Sequence, residues 1–290
     1  MNGFWFKLLV RVANLCGPWL FVVVSRIIAT GYFVFSWRRV AESCLFYAAL
    51  YPEKGRLFNL WCTFKQYQNF TTIHFDRFLE AQAKSASYTA VGWEKLEEVI
   101  GGQGGILLMS HLGNWEMAAT LLKKKREDLQ LLLYMGVKEK EGVERMQKDD
   151  LRRSGVTIIG IDKENNSPFS AVAGINFLRS GGLVSMAGDI VWRSNQRKVR
   201  VTFLGYDAYL PEAPFVFSLV SGAPLFVFFA FRTGRNTYHF TLSDPIPIQP
   251  KSRSDRAAAI SQAAQQYAGL LEESLRQHPS EWYHFDRFIH

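Results

Sequence analysis

Residues 104–117 read GGILLMSHLGNWEM. A Gly-Gly pair opens an unbroken apolar run, Ile106–Met109, which is too short for a stable helix and suits a strand buried on both faces. The run stops at Ser110 and His111. Gly113 then allows a sharp turn, and Asn114 is a residue type favoured at a helix N-cap. The stretch therefore predicts a strand, a tight loop and a helix, with His111 in the loop and Glu116 in the first turns of the helix. Residues five apart on one helix diverge by about 140°, so the pair does not suit a metal site built on i, i+3 or i, i+4 spacing. A loop histidine with a carboxylate on the helix behind it suits base catalysis instead. Glu116 folds back on the imidazole and fixes its tautomer, and the other ring nitrogen takes a proton from a hydroxyl. This is the logic of a Ser-His-Asp triad in which the substrate brings the nucleophile.

Outward from this stretch the sequence alternates. Strands are expected at 88–91, 106–109, 129–135, 156–159, 183–187, 199–203, 225–231 and 237–242. Helices are expected near 94–100, 114–125, 139–154, 167–178 and 254–277. Such alternation predicts an α/β fold, a layered and mostly parallel sheet flanked by helices. Residues 38–84 carry apolar side chains at helical spacing, broken at Pro52-Glu53, and read as two helices laid over that domain.

The N-terminus has a different texture. Residues 12–37 hold a single charge, Arg26, and the run is long enough to cross a bilayer, though an arginine at mid-depth costs about 2.5–3.5 kcal/mol on insertion scales. Residues 1–37 are therefore read as a hydrophobic membrane anchor or interfacial helix, and 38–290 as the α/β domain. No small-residue cleavage site follows the apolar run, which argues against a signal peptide. The net charge of +8 and the aromatic share of 14% fit a protein that meets an anionic membrane. Three cysteines without a C-x-x-C pattern, Cys16, Cys44 and Cys62, argue against a disulfide framework or a zinc site. The signatures of common nucleic-acid-binding folds are missing, and no nucleic acid is expected as a partner.

The motif HLGNWE resembles the H-x4-D/E motif of the glycerolipid acyltransferase superfamily, and more narrowly the form found in bacterial lipid A biosynthesis acyltransferases. The apolar N-terminus, GLVSMAGDI at 182–190, VTFLG at 201–205, SGAPLFVFFAFR at 221–232 and QHPSEWYHFDRF at 277–288 fall in that family's order. The resemblance implies a glycerolipid acyltransferase-like fold. It also implies transfer of an acyl group from a thioester, on acyl carrier protein or coenzyme A, to a hydroxyl or amine of a lipid or glycolipid. His111 is the implied general base and Glu116 its partner; Asn114, Arg152 and Asp189 are the expected substrate contacts. Arg152 or Arg153 stands where the family carries an arginine, and Asp189 matches the first acid of a family Asp-Gln-Asp. Oxyanion donors are expected from backbone N–H groups and a cation in the 138–153 region. No cofactor and no metal is expected. The implied location is the bacterial inner membrane, with the site on the cytoplasmic side. An acyl-thioester hydrolase and a non-catalytic lipid-binding membrane protein are the competing readings. YLPEAPFVF at 209–217 stands where the family has a Thr- and Gly-rich run, so the acceptor is left open among lipid A precursors, other glycolipids, aminolipids and aryl-headed lipids.

The remaining features read as structural. Trp115 packs beside the motif, and Lys123–Arg126 closes the motif helix at the end where cations are favoured. The basic residues Arg193, Arg197, Lys198 and Arg200 read as a solvated loop, with phosphate or headgroup contact as the alternative. Trp282, Tyr283 and Phe285 read as interfacial or packed on the N-terminal helices. His74, His239, His278, His284 and His290 show no pattern that points to chemistry.

Overall fold

The computed structural model describes residues 11–13, 15–81, 87–136, 148–149, 151–161, 168–191, 196–234 and 236–290. Three long helices come first among the described residues: α1 (Pro18–Phe35), α2 (Trp37–Leu50) and α3 (Arg56–Ala81). The α/β part follows as β1 (Ser87–Val91), α4 (Trp93–Glu97), β2 (Gly105–Met109), α5 (Trp115–Lys125), β3 (Leu131–Gly136), β4 (Thr157–Ile161), α6 (Pro168–Arg179), β5 (Leu183–Ala187), β6 (Lys198–Phe203), β7 (Tyr206–Pro211), α7 (Ala213–Ser221), β8 (Leu225–Gly234), β9 (Thr237–Leu242) and α8 (Arg256–Gln277). The helix expected near 139–154 lies mostly outside the described residues.

Seven strands form one sheet in the order β1-β9-β8-β2-β5-β3-β4. Strands β2, β3, β4, β5 and β8 run parallel to one another, while β9 returns antiparallel to β8 and pairs in parallel with β1. The sheet is thus mostly parallel, as the alternation predicts. Strand β2 is buried at all five positions, because helices cover both faces at the centre of such a sheet and leave no face for polar alternation. On one face Ile106 and Leu108 pack with Leu178, Phe215, Tyr267 and Leu271, from α6, α7 and α8. On the other, Leu107 and Met109 pack with Met117, Ala118 and Leu122 of α5.

The strand expected at 199–203 exists, but it leaves the main sheet. Strand β6 pairs in antiparallel fashion with β7 around Leu204-Gly205, both at positive φ (53° and 82°), as a two-residue hairpin turn requires. Its burial alternates, with Val199, Val201 and Phe203 inside. A strand with one wet face fits a hairpin over the core and not the doubly covered sheet.

Candidate active site

The site forms where β2 and β5 end. The two strands are adjacent and parallel, with Met109 opposite Ala187, and Gly188 N–H donates to the Met109 carbonyl at 2.7 Å. One residue further, the two strands present His111 and Asp189. Gly188 has no room for a side chain, since a Cβ would lie 2.7–2.8 Å from Leu108 and Tyr267. Its lack of one lets the strands reach this point side by side.

Asp189 holds His111 twice. The His111 backbone N–H donates to Oδ2 at 2.7 Å, and Nδ1 lies 3.0 Å from Oδ1. The Asp189 side chain is fully buried, whereas the imidazole is 27% exposed. Burial pushes the Asp189 carboxyl up, but the His111 imidazole, by charge and by hydrogen bonds, outweighs burial and holds it at about 2. The ionised carboxylate makes Nδ1 the donor and leaves the lone pair on Nε2, which is the tautomer a general base needs. Motif spacing alone points to Glu116 as the orienting carboxylate and leaves Asp189 a substrate contact. In the structure the carboxylate at Nδ1 is Asp189. The sequence signal for this pairing lies in two apolar runs, GILLMSH and LVSMAGD, each ending in a polar group at the same distance from its first strand residue.

The segment that follows α8 closes the site from the other side. Gly113 N–H donates to the Glu281 carbonyl at 3.0 Å and Tyr283 N–H to the His111 carbonyl at 2.8 Å, so residues 281–283 pair with the histidine loop as a short bridge. Between those bonds the buried Trp282 donates its indole N–H to Asp189 Oδ2 at 3.1 Å. Its ring packs against Phe46, Phe203 and Phe288. Helix α3 fixes this segment in turn, Gln66 donating to the Trp282 carbonyl and Asn69 to Ser280 Oγ at 2.8 Å. The aromatic tail thus packs on the N-terminal helices, as expected, and also supplies a hydrogen bond to the site that sequence reading missed.

His284 lies in the same neighbourhood. Burial lowers its pKa, with Asp189 raising it and His111 lowering it further. Its Nδ1 donates to the Asp286 carbonyl at 3.1 Å. Next to Trp282 and His284 a cavity of about 230 Å³ opens towards α2, with Leu45, Phe46 and Phe288 in its walls.

Asn114 caps α5, its side-chain oxygen accepting from Met117 N–H at 3.2 Å while its amide donates to the buried Asp76 at 3.4 Å. Asp76 in turn lies 3.0 Å from Arg232 Nε. Both ends of the Asn114 amide are engaged inside the protein, which makes it a support for the loop. Glu116 occupies the first turn of α5, half-buried, where a negative charge is favoured by the helix dipole. Arg152 is not brought to this end. It precedes β4 at the opposite end of the parallel strands, 58% exposed, 3.7 Å from Asp149. Arg153 lies beside it, and most of the 138–153 stretch expected to supply an oxyanion cation is outside the described residues, as is Arg193 of the basic patch.

The sequence model of the bacterial lipid A biosynthesis acyltransferases matches residues 70–288, which takes in the histidine loop, Asp189 and the Trp282 segment. The chain belongs to that family. Membership makes this protein an acyltransferase with an acyl donor and a lipid acceptor, and lipid A acyltransferases are in general associated with the inner membrane. The match begins within α3, just after Gln66 and Asn69, and takes in the whole sheet. No curated protein matches this acyltransferase significantly.

Proposed function

We propose that this acyltransferase moves a fatty acyl group from a thioester, on acyl carrier protein or coenzyme A, to a hydroxyl or amine of a lipid or glycolipid at the inner membrane, with His111 as general base. The observation that carries the reading is the fully buried Asp189 carboxylate at His111 Nδ1. In the first step the acceptor O–H or N–H gives its proton to Nε2 as its heteroatom attacks the thioester carbonyl. Asp189 stabilises the imidazolium that forms. The tetrahedral oxyanion then collapses, the C–S bond breaks, and the imidazolium returns the proton to the leaving thiolate. Glu116 supplies a second negative charge near the loop, which favours the imidazolium. Arg152 lies too far along the sheet to act in this step and is left with a role in docking an acidic carrier or headgroup. The apolar walls beside Trp282 and His284 offer room for a hydrocarbon tail. The site is placed on the cytoplasmic side, where acyl thioesters are made.

The test uses the purified enzyme with acyl thioester and lipid extract. His111→Ala is expected to lose nearly all acyl transfer while remaining folded, and undiminished transfer by that variant sinks the reading. Donor consumption at an equal rate without any acceptor would make the protein a hydrolase instead.

A further inference from the structure

Among the described residues one helix, α1, is long and apolar enough to cross a membrane, with a mean hydropathy of 1.6. Its 18 residues span roughly 27 Å, close to the roughly 30 Å of a hydrocarbon core. By length alone it fits a transmembrane helix, but two structural observations oppose that posture.

The first is packing. Helix α1 runs antiparallel along α3. Phe33 meets Phe64 and Tyr67 edge-on at 5.3 and 5.7 Å, Gln68 donates to Thr30 Oγ1 at 3.0 Å, and Phe21 lies 6.2 Å from Phe75. These contacts extend over most of α1 and over residues 64–75 of α3. Standing α1 upright in a bilayer would carry that part of α3 through hydrocarbon. With it would go Gln66 and Asn69, which hold the Trp282 segment, and the neighbouring Asp76–Arg232 pair. Buried polar and charged groups of that kind do not belong at bilayer depth.

The second is Arg26. It sits at the midpoint of α1 and is exposed. Its backbone carbonyl accepts from both Thr30 and Gln68, and among the described residues no carboxylate pairs with its guanidinium. Upright, α1 would leave that charge facing lipid near the bilayer centre. Lying flat, it lets the Arg26 stem reach the phosphates. The adjoining exposed Val23, Ile27 and Val34 then enter the acyl region, as in an interfacial helix. Trp19 and Trp37, both exposed at the two ends of this stretch, suit the headgroup boundary.

We infer that α1 is an in-plane anchor: it lies within a single leaflet beside α3, Arg26 binds anionic phospholipid headgroups, and the polypeptide does not cross the membrane there. This rests on the membrane-associated reading above and makes it specific. Because α3 also holds the Trp282 segment, the posture sets His111 at the level where a lipid's polar group is found.

Two measurements test it. In a full-length protein with Cys16, Cys44 and Cys62 replaced by alanine, single cysteines at Asn2 and Lys54 flank α1. A membrane-impermeant maleimide is applied to spheroplasts and to inverted vesicles. An in-plane α1 predicts that both sites label from the same side. Labelling from opposite sides overturns the inference while leaving membrane association intact. Recovery of the enzyme wholly in the soluble fraction overturns the membrane reading itself and the inference with it. In flotation assays, Arg26→Glu is expected to weaken binding several-fold to vesicles of mixed phosphatidylcholine and phosphatidylglycerol, with much less effect on phosphatidylcholine alone. Unchanged binding to the anionic vesicles removes Arg26 from the headgroup contact.

Discussion

His111 and Asp189 occupy equivalent places on neighbouring parallel strands, each two residues beyond a register pair, Met109 and Ala187. The sheet's hydrogen bonding therefore positions the base against its carboxylate before any side chain adjusts. In Asp189→Asn the amide can present an N–H to Nδ1 and turn the imidazole to the wrong tautomer. We expect kcat to fall by about 10²–10⁴ with KM little changed. Steady-state kinetics on the purified variant check this, and a loss confined to KM would contradict it.

Trp282 holds the far oxygen of the same carboxylate. Trp282→Phe removes the indole N–H but keeps an aromatic ring among Phe46, Phe203 and Phe288. Losing one hydrogen bond to a charged group is worth about 1.5–3 kcal/mol, and the variant should be less stable to unfolding by about that much. An Asp189 with one donor fewer attracts the imidazolium more strongly, so the acidic limb of the kcat/KM profile should move to higher pH. A residue that merely filled space would leave that limb in place.

Glu116 acts through charge in the proposed mechanism. Glu116→Gln should then lower the imidazolium's stability and shift the same acidic limb to lower pH, opposite to Trp282→Phe. A pH–rate profile compared across the two variants separates the two carboxylates.

Gly113 has φ 79°, and a Cβ there would lie 2.1 Å from the Ala230 carbonyl oxygen. Gly113→Ala must displace the histidine loop from β8, where Asn114 N–H donates to that carbonyl. A destabilisation on the order of 2 kcal/mol or more is expected, together with loss of activity. Thermal unfolding and an acyl-transfer assay measure both effects.

Asp189 is ionised in the folded protein down to about pH 2, while an unfolded aspartate titrates near 3.9. A carboxyl depressed on folding contributes stability that is present above the unfolded value and is lost as pH falls through the folded one. Stability should therefore decline from about pH 4 to about pH 2, and Asp189→Asn should flatten that part of the curve. Denaturant unfolding at a series of pH values tests the sign.

The α/β fold was legible because buried parallel strands announce themselves as short apolar runs between glycines, as GILLM and LVSMA do. The hairpin β6–β7 was only half legible. Its first strand is among those expected, at 199–203, whereas no strand is expected at YDAYLP. His111 and the N-cap role of Asn114 were visible in one local motif. The carboxylate at His111 Nδ1 was not, since strand order is a long-range property and nothing local says that residue 189 neighbours residue 111. Glu116 is the nearest carboxylate in sequence, and a local motif can offer no other. Trp282 was hidden for the same reason, its aromatic neighbours suggesting packing alone.

The bridge between residues 281–283 and the histidine loop also carries a timing consequence. Helix α3, the motif and Asp189 all leave the ribosome well before Trp282 does. A nascent polypeptide can pair β2 with β5 and still lack the third donor and the strap over the loop. Closing that bridge joins Gly113 to Glu281 and Tyr283 to His111, and contacts of such sequence separation form slowly. On the proposed mechanism, a partly synthesised or partly folded molecule therefore lacks the Trp282 donor to Asp189 until that bridge has closed.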